Sequence, residues 1–296
     1  MATSLEFLES VGDLFRHNQW STGKDTQQAF NGFCNILMDA TAKQREMLLD
    51  ISKDFQWVPS THFHQAIRRS LETAMTRLAS KERIFLMPLL RQEHYLQCKS
   101  CKFIFYLVAG PMFPELLPET AAGVALDTPL NITSQSPNIN DAVIAVDDFI
   151  GTGSTCDDVV EEIRAFAGFP IQVEVCAMFG MELAVLSLQR SGQAVIVDKI
   201  LRKGISENQR LNRKLIATYT ILMTEIESRL KVPNKYRFGS QKSEALLSLD
   251  RAPNNTFPVY WRQSHTRFSG AGSPPFYRPR RVGNTLLVPA KIPRLT

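Results

Sequence analysis

Hydrophobic positions in the first 80 residues recur at helical spacing. Leu5, Phe7, Leu8, Val11, Leu14 and Phe15 form one stripe. Phe33, Ile36, Leu37, Met47, Leu48 and Ile51 form a second between Phe30 and Phe55. Ile67, Leu71, Met75 and Leu78 form a third between His64 and Leu78. These stripes predict a helical N-terminal extension over residues 1–80, a packed appendage with no catalytic demand of its own. The pattern then changes. Arg83 to Leu90 is a short apolar run that predicts a buried strand, and Phe103 to Val108 fits either a strand or a buried helix, because periodicity does not separate the two in so short a run. Residues 126–141, rich in Asn, Ser, Thr and Pro, read as a loop.

Val143 to Val146 predicts a buried strand, and Ser154 to Phe166 a helix with Val159, Val160, Ile163 and Phe166 on one face. Val173–Phe179 and Ala194–Leu201 are further strands around a helix near Glu182–Gln189, and a long helix covers Glu207 to Leu230. Strands alternating with helices predict an α/β domain with a parallel sheet and right-handed crossovers, here placed at 81–232. The segment 233–296 holds eight of the chain's 16 prolines and predicts irregular structure with short strands at best.

Composition adds three constraints. Apolar residues make up 44% and charged residues 21%, as in ordinary globular proteins. No run of about 18 apolar residues predicts a membrane span, and the acidic, charge-broken start does not resemble a signal peptide, so a cytoplasmic protein without a membrane partner is expected. Five cysteines without regular spacing (Cys34, Cys98, Cys101, Cys156, Cys176) predict reduced thiols rather than a disulfide framework. Cys98-x-x-Cys101 with His94 lacks the second pair that a closed zinc site needs, and His62 and His64 lack further ligands.

Charge is uneven. From Lys231 onward twelve Lys and Arg face only Glu244 and Asp250, a balance of +10 that leaves −5 for the rest of the chain. Such a tail suits a polyanionic partner such as nucleic acid, a phosphate-rich ligand, or docking on the acidic body.

The chemistry concentrates in Val143-Ile-Ala-Val-Asp-Asp-Phe-Ile-Gly-Thr-Gly-Ser-Thr155. A buried strand ending at Val146 delivers Asp147 and Asp148 to its C-terminal tip, where ligands bind in open α/β sheets. Gly151, Thr152, Gly153, Ser154 and Thr155 then turn into a helix. The glycines allow close backbone approach to a phosphate, the helix start offers free N–H groups, and the hydroxyls add donors. Carboxylates this close to an anion site suit ribose hydroxyls, or a metal on a neighbouring pyrophosphate. Neither a P-loop nor a dinucleotide fingerprint fits: Gly23-Lys24 precedes Asp25, and Cys156 stands where the third glycine belongs. The acidic run Asp157, Asp158, Glu161 and Glu162 reads as dipole-complementing and solvated. Lys199 reads as a lysine at a sheet tip.

This motif resembles the ribose-5-phosphate loop of the type I phosphoribosyltransferases over roughly residues 82–202. The resemblance implies phosphoribosyl pyrophosphate (PRPP) with Mg2+ as ligand, Asp147 and Asp148 on the ribose hydroxyls or, indirectly, on the metal, and 151–155 on the 5′-phosphate. It implies displacement of pyrophosphate from the anomeric carbon through an oxocarbenium-like transition state. Purine-salvage members carry an Asp where this chain has Gly151, which argues against purine salvage. The family's pyrophosphate loop would follow the first core strand. Arg91 stands there without the usual small-residue and glycine pattern, and Lys99-Ser100 is a second candidate. The loop at 126–141, the position of a catalytic hood in that family, carries no Lys or Arg.

Tyr236-Arg-Phe-Gly239, Pro253-Asn-Asn-Thr256, Pro258 and Trp261 further resemble the tail of the phosphoribosyltransferase-like proteins of bacterial conflict systems, PRTase-CE. That resemblance implies Asn254, Asn255 and Trp261 near substrate, a role in retron-type anti-phage defence, and a reverse transcriptase or nucleic acid as partner through the basic tail. Read alone, Pro-Asn-Asn is a turn sequence and Trp261 a buried aromatic. Two functions stay open, a PRPP-dependent transferase and a binding module that has lost catalysis. The acceptor and the oligomeric state are open too.

Overall fold

The structure, a computed structural model, describes residues 4–20, 26–97, 99–249, 251–262, 274–276, 281–282 and 285–286. The chain packs as two compact units, Pro59–Arg202 and Met1–Val58 with Lys203–Thr296.

In the unit Pro59–Arg202, helix α4 (Phe63–Arg77) precedes a five-stranded, all-parallel sheet. Its strands are β2 (Arg83–Pro88), β3 (Ala122–Ala125), β4 (Asp141–Ile150), β5 (Gln172–Met181) and β6 (Ala194–Leu201), in the order β3-β2-β4-β5-β6. The central strands read as near-continuous apolar runs because both faces are covered: Ile84 to Met87, Ala142 to Val146 and Val175 to Met178 are all buried. Helices α5 (Ser100–Ala109) and α6 (Met112–Leu116) lead from β2 to β3. Helix α7 (Ser154–Ala167) leads from β4 to β5, and α8 (Glu182–Arg190) from β5 to β6. Right-handed crossovers that move in opposite directions place α5 on one sheet face and α7 and α8 on the other. Helix α4 joins the α5 face, contacting α5, β5 and β6.

Three sequence expectations resolve here. Phe103–Val108 lies in helix α5, with Ile104, Phe105 and Val108 buried, so tertiary burial settles what periodicity left open. β4 does not stop at Val146. Asp147, Phe149 and Ile150 continue its ladder opposite Ala177, Phe179 and Gly180 of β5, so the acidic pair sits inside the strand's last turn of pleat. β6 likewise runs to Leu201, which puts Lys199 opposite Phe179 within the strand rather than beyond its tip. β3 carries no apolar signal in Ala-Gly-Val-Ala, and its register with Arg83–Leu86 defines it.

In the other unit, α1 (Ser4–His17), α2 (Gln27–Met38) and α3 (Ala42–Ser52) carry the first two apolar stripes. The second stripe divides at Asp39–Thr41, where Thr41 caps α3: its Oγ1 accepts from Gln44 N–H, and the Gln44 side chain accepts from Thr41 N–H. The same unit contains α9 (Arg213–Arg229), which begins later than Glu207 because Asn212 caps it at Leu215 N–H. A two-residue strand β1 (Gln56–Trp57) pairs in parallel with β7 (Leu247–Ser248). Beyond residue 230 the described residues form only short 3-10 turns and two-residue strands, among them β8 (Arg281–Val282) and β9 (Thr285–Leu286). One core binds these pieces: Val11, Phe15, Phe33, Leu48, Ile51 and Phe55 pack with Met223, Ile226, Phe257, Tyr260 and Phe276. Phe55 stacks on Phe276 with centroids 4.7 Å apart.

Candidate functional site

The exits of β2 and β4 diverge, one toward β3 and the other toward β5, so a crevice opens between their C-terminal ends. This is the topological switch point at which open α/β sheets bind ligands. The exit of β2 supplies Arg91, Lys99 and Ser100, and that of β4 supplies Asp147 to Thr155.

Asp147 and Asp148 are half-buried. Asp148 N–H donates to Asp147 Oδ1 at 2.8 Å, and Ser100 Oγ donates to Asp148 Oδ1 at 3.0 Å. Loss of hydration, and next the charge of Asp148, push the Asp147 carboxyl well above the usual carboxylate range, while Lys99 opposes the rise. Lys99 is the N-cap of α5, so that helix start brings Lys99 and Ser100 to the acidic pair. The nearby thiols of Cys101 and Cys156 are buried, and burial and then the Asp147 charge push both up, which favours the neutral thiol over the thiolate.

Gly151 to Thr155 pass from the strand into α7. Gly153 is the N-cap, with φ +86°, in the left-handed region, and an added Cβ would meet the Leu188 side chain at 3.2 Å. Cys156 N–H and Asp157 N–H donate to Gly153 C=O, at 2.8 and 3.2 Å. Thr152 and Ser154 are exposed, and their hydroxyls lie 3.4 Å apart. A helix start framed by hydroxyls is chemically suited to an anion.

Among the described residues the partners of the Arg91 guanidinium are Ser154, Asp158 and Glu93 and not the acidic pair. Its Nη2 lies 3.4 Å from Ser154 Oγ and 2.5 Å from Asp158 Oδ2. Asp158 is therefore more than a solvated member of an acidic run; this contact joins residues 67 positions apart and leaves no local trace in the sequence. Arg91, Glu93, Asp158, Glu161, Glu162 and Ala165 line an open groove of about 480 Å3. The expected loop at 126–141 contains a 3-10 turn, Pro129–Gln135, which lies against α7 through a region where Ile132 is fully buried.

Asn254, Asn255 and Trp261 belong to the other unit. There the two pieces of the tail motif bond to each other: Ser240 N–H donates to Asn254 C=O at 2.7 Å, and Ser243 Oγ and Ala245 N–H donate to Asn255 C=O at 2.8 and 3.1 Å. Thr256 N–H closes the Pro253–Thr256 turn onto Pro253 C=O. Trp261 Nε1 donates to Thr256 C=O at 2.8 Å, and its ring meets Tyr236 edge-on. Cys98 and most of 263–296, including the basic positions 267, 278, 280, 291 and 294, lie outside the described residues.

Among the described residues no group of three or more His, Cys, Asp or Glu is placed to hold a metal. No helix among them is long and apolar enough to cross a membrane. The PRTase-CE family model matches residues 41–277, most of the chain and parts of both units. No curated protein matches the chain.

Proposed function

The chain belongs to the PRTase-CE family and is phosphoribosyltransferase-like; on that premise we propose that the crevice between β2 and β4 binds PRPP or a nucleotide containing ribose 5-phosphate. The observation that carries this reading is the unbroken path of β4 through Asp147-Asp148 into a left-handed Gly153 and the start of α7, at the switch point of the sheet. The loop 151–155 takes the 5′-phosphate on N–H groups and hydroxyls. Asp147 and Asp148 take the ribose hydroxyls, and Lys99 and Ser100 face the pyrophosphate side. Two carboxylates suit Mg2+, which binds through one or two carboxylates, substrate phosphates and water; bound, it would neutralise the departing pyrophosphate.

In the transfer itself the bond from the anomeric carbon to pyrophosphate breaks with its electron pair leaving on pyrophosphate, and a nucleophile forms the new bond at that carbon. The chain's part is positioning and electrostatics. The test is to mix the full chain with Mg2+, PRPP and a panel of bases and nucleotides and to measure pyrophosphate, with Asp147→Asn plus Asp148→Asn as control. Turnover lost in the control supports an enzyme. PRPP binding without turnover by the wild type supports the second reading, a catalytically inactive binding module, which the absence of a glycine-rich turn after β2 favours. No PRPP binding at all overturns both.

The family resemblance extends the proposal to a defence effector of the retron type, held in a complex with a reverse transcriptase or nucleic acid through the basic tail. Phage plaque counts on cells that carry the gene with its neighbours test this, since protection must vanish with Asp147→Asn plus Asp148→Asn. Nucleic-acid affinity that survives deletion of 262–296 would overturn the role of the tail.

A further inference from the structure

We infer that Arg91 is a ligand of the 5′-phosphate rather than of the pyrophosphate, and that Asp158 is the carboxylate which the phosphate displaces from it. This rests on the reading of residues 151–155 as a phosphate loop. The exit of β2 divides its labour. Its far end, Lys99 and Ser100, faces the acidic pair: Ser100 bonds Asp148, and Lys99 acts on the charge of Asp147. Its near end, Arg91, turns to α7, with Nη2 at 3.4 Å from Ser154 Oγ. A phosphate seated on the first N–H groups of α7 and on the Ser154 hydroxyl lies one hydrogen bond from that guanidinium.

Two further observations point the same way. Arg91 Nε–H is buried and has no acceptor among the described residues, so one donor of the fork is unspent. A guanidinium fork matches phosphate oxygens two at a time. The charge around the helix start is also unfavourable to an anion without Arg91: the groove beside it is lined by Glu93, Asp158, Glu161 and Glu162, with Arg91 its single cation among the described residues.

The Arg91–Asp158 pair is exchangeable. Its side chains are 27% and 52% exposed, and ion pairs this open to water are weak. A phosphate dianion carries more charge than the carboxylate and also bonds the loop, so it wins the guanidinium. Asp158 keeps Arg91 in place over Ser154 until then, at the cost of competing with the ligand. A pair that merely pinned the chain after β2 to α7 would behave differently, because loosening the pin could not improve binding.

The experiment is calorimetric titration of the full chain with ribose 5-phosphate and, separately, with magnesium pyrophosphate. The variants are Arg91→Ala, Arg91→Lys, Asp158→Asn and Ser100→Ala, each checked for its melting transition. Arg91→Ala is expected to weaken ribose 5-phosphate by about tenfold or more, with Arg91→Lys intermediate and pyrophosphate affinity changed less than about twofold. Asp158→Asn is expected to tighten ribose 5-phosphate by about three- to tenfold. Ser100→Ala is expected to weaken pyrophosphate, and to weaken ribose 5-phosphate only through the lost orientation of Asp148, by less than Arg91→Ala does. Should Arg91→Ala fail to fold, Arg91→Lys and Asp158→Asn decide the matter. Loss of pyrophosphate affinity with unchanged ribose 5-phosphate affinity in the Arg91 variants overturns the assignment, and unchanged or weaker ribose 5-phosphate binding in Asp158→Asn overturns the competition. If the wild type binds no ribose 5-phosphate, the phosphate-loop reading itself fails, an outcome distinct from the other two.

Discussion

Ser100 donates its hydroxyl to Asp148 at 3.0 Å, across 48 positions of chain, and so ties the start of α5 to the C-terminal end of β4. The bond orients a half-buried carboxylate whose oxygen is then committed to one direction. A hydrogen bond to a charged group contributes about 1.5–3 kcal/mol. Ser100→Ala is expected to weaken PRPP binding in Mg2+ by about tenfold, with no change in melting temperature large enough to explain the loss; calorimetry and a thermal melt together check it.

The second prediction concerns Asp147. Its folded-state carboxyl titrates above the unfolded value, so the associated stability is fully present below the unfolded pKa and is lost as pH rises through the folded one. At pH 7.5 without ligand, Asp147→Asn is expected to melt higher than the wild type, and the gap is expected to close toward pH 4. The same variant is expected to lose PRPP binding. A lower melting temperature at pH 7.5 would contradict the burial and repulsion argued for this group.

Gly153→Ala forces a Cβ into a left-handed residue, which costs about 1–2 kcal/mol. Gly168→Ala makes the control: Gly168 caps the other end of α7 with φ +79° and open space around it. Both variants are expected to lower the midpoint in urea by similar amounts. Only Gly153→Ala is expected to abolish ribose 5-phosphate binding, because only there would the displaced backbone belong to the proposed phosphate loop.

Glu227 lies fully buried in α9, with both carboxyl oxygens 3.0 Å from Phe238 N–H, and burial pushes it up to about 7. The rise from an ordinary value of 4.5 means that its stability contribution is complete below about pH 4.5 and disappears as pH climbs through about 7. Glu227→Gln keeps an acceptor for Phe238 without the charge. It is expected to melt above the wild type at pH 8 and to match it at pH 4.5.

Ser52 and Tyr260 share a buried hydrogen bond of 2.8 Å that links α3 to the chain after β7. Removing either partner strands the other, at about 1–3 kcal/mol. Tyr260→Phe and Ser52→Ala are each expected to destabilise by about that much, and the double variant by clearly less than their sum. Denaturant unfolding of the four proteins measures the coupling.

Much of the candidate site is legible in the sequence because it is contiguous. An apolar tetrad, two carboxylates, a spacer and a glycine–hydroxyl turn follow one another over 13 residues, and strand, loop and helix start are local outcomes of backbone sterics and burial. The helical stripes of α1 to α4 and the βα alternation were legible for the same reason. The end of β4 was not, because Asp is poor in strands on its own, and only the ladder with β5 carries the strand on to Ile150. Nor was α5, since a run apolar on every side has no period to read.

What the sequence by itself determined is therefore the α/β class, the run of carboxylates, glycines and hydroxyls over 147–155 and the uneven charge. Only the tertiary structure decided which distant side chains meet those residues: Ser100 on Asp148, and Arg91 on Ser154 and Asp158. It alone, too, gathered the first three helices and the segments after residue 203 into one core around Phe33, Phe55, Tyr260 and Phe276. The reason is physical. Backbone geometry acts between neighbours and leaves a pattern in the chain, whereas apolar burial has no direction, and a hydrogen bond or ion pair between distant residues exists only once folding has brought them within about 3 Å.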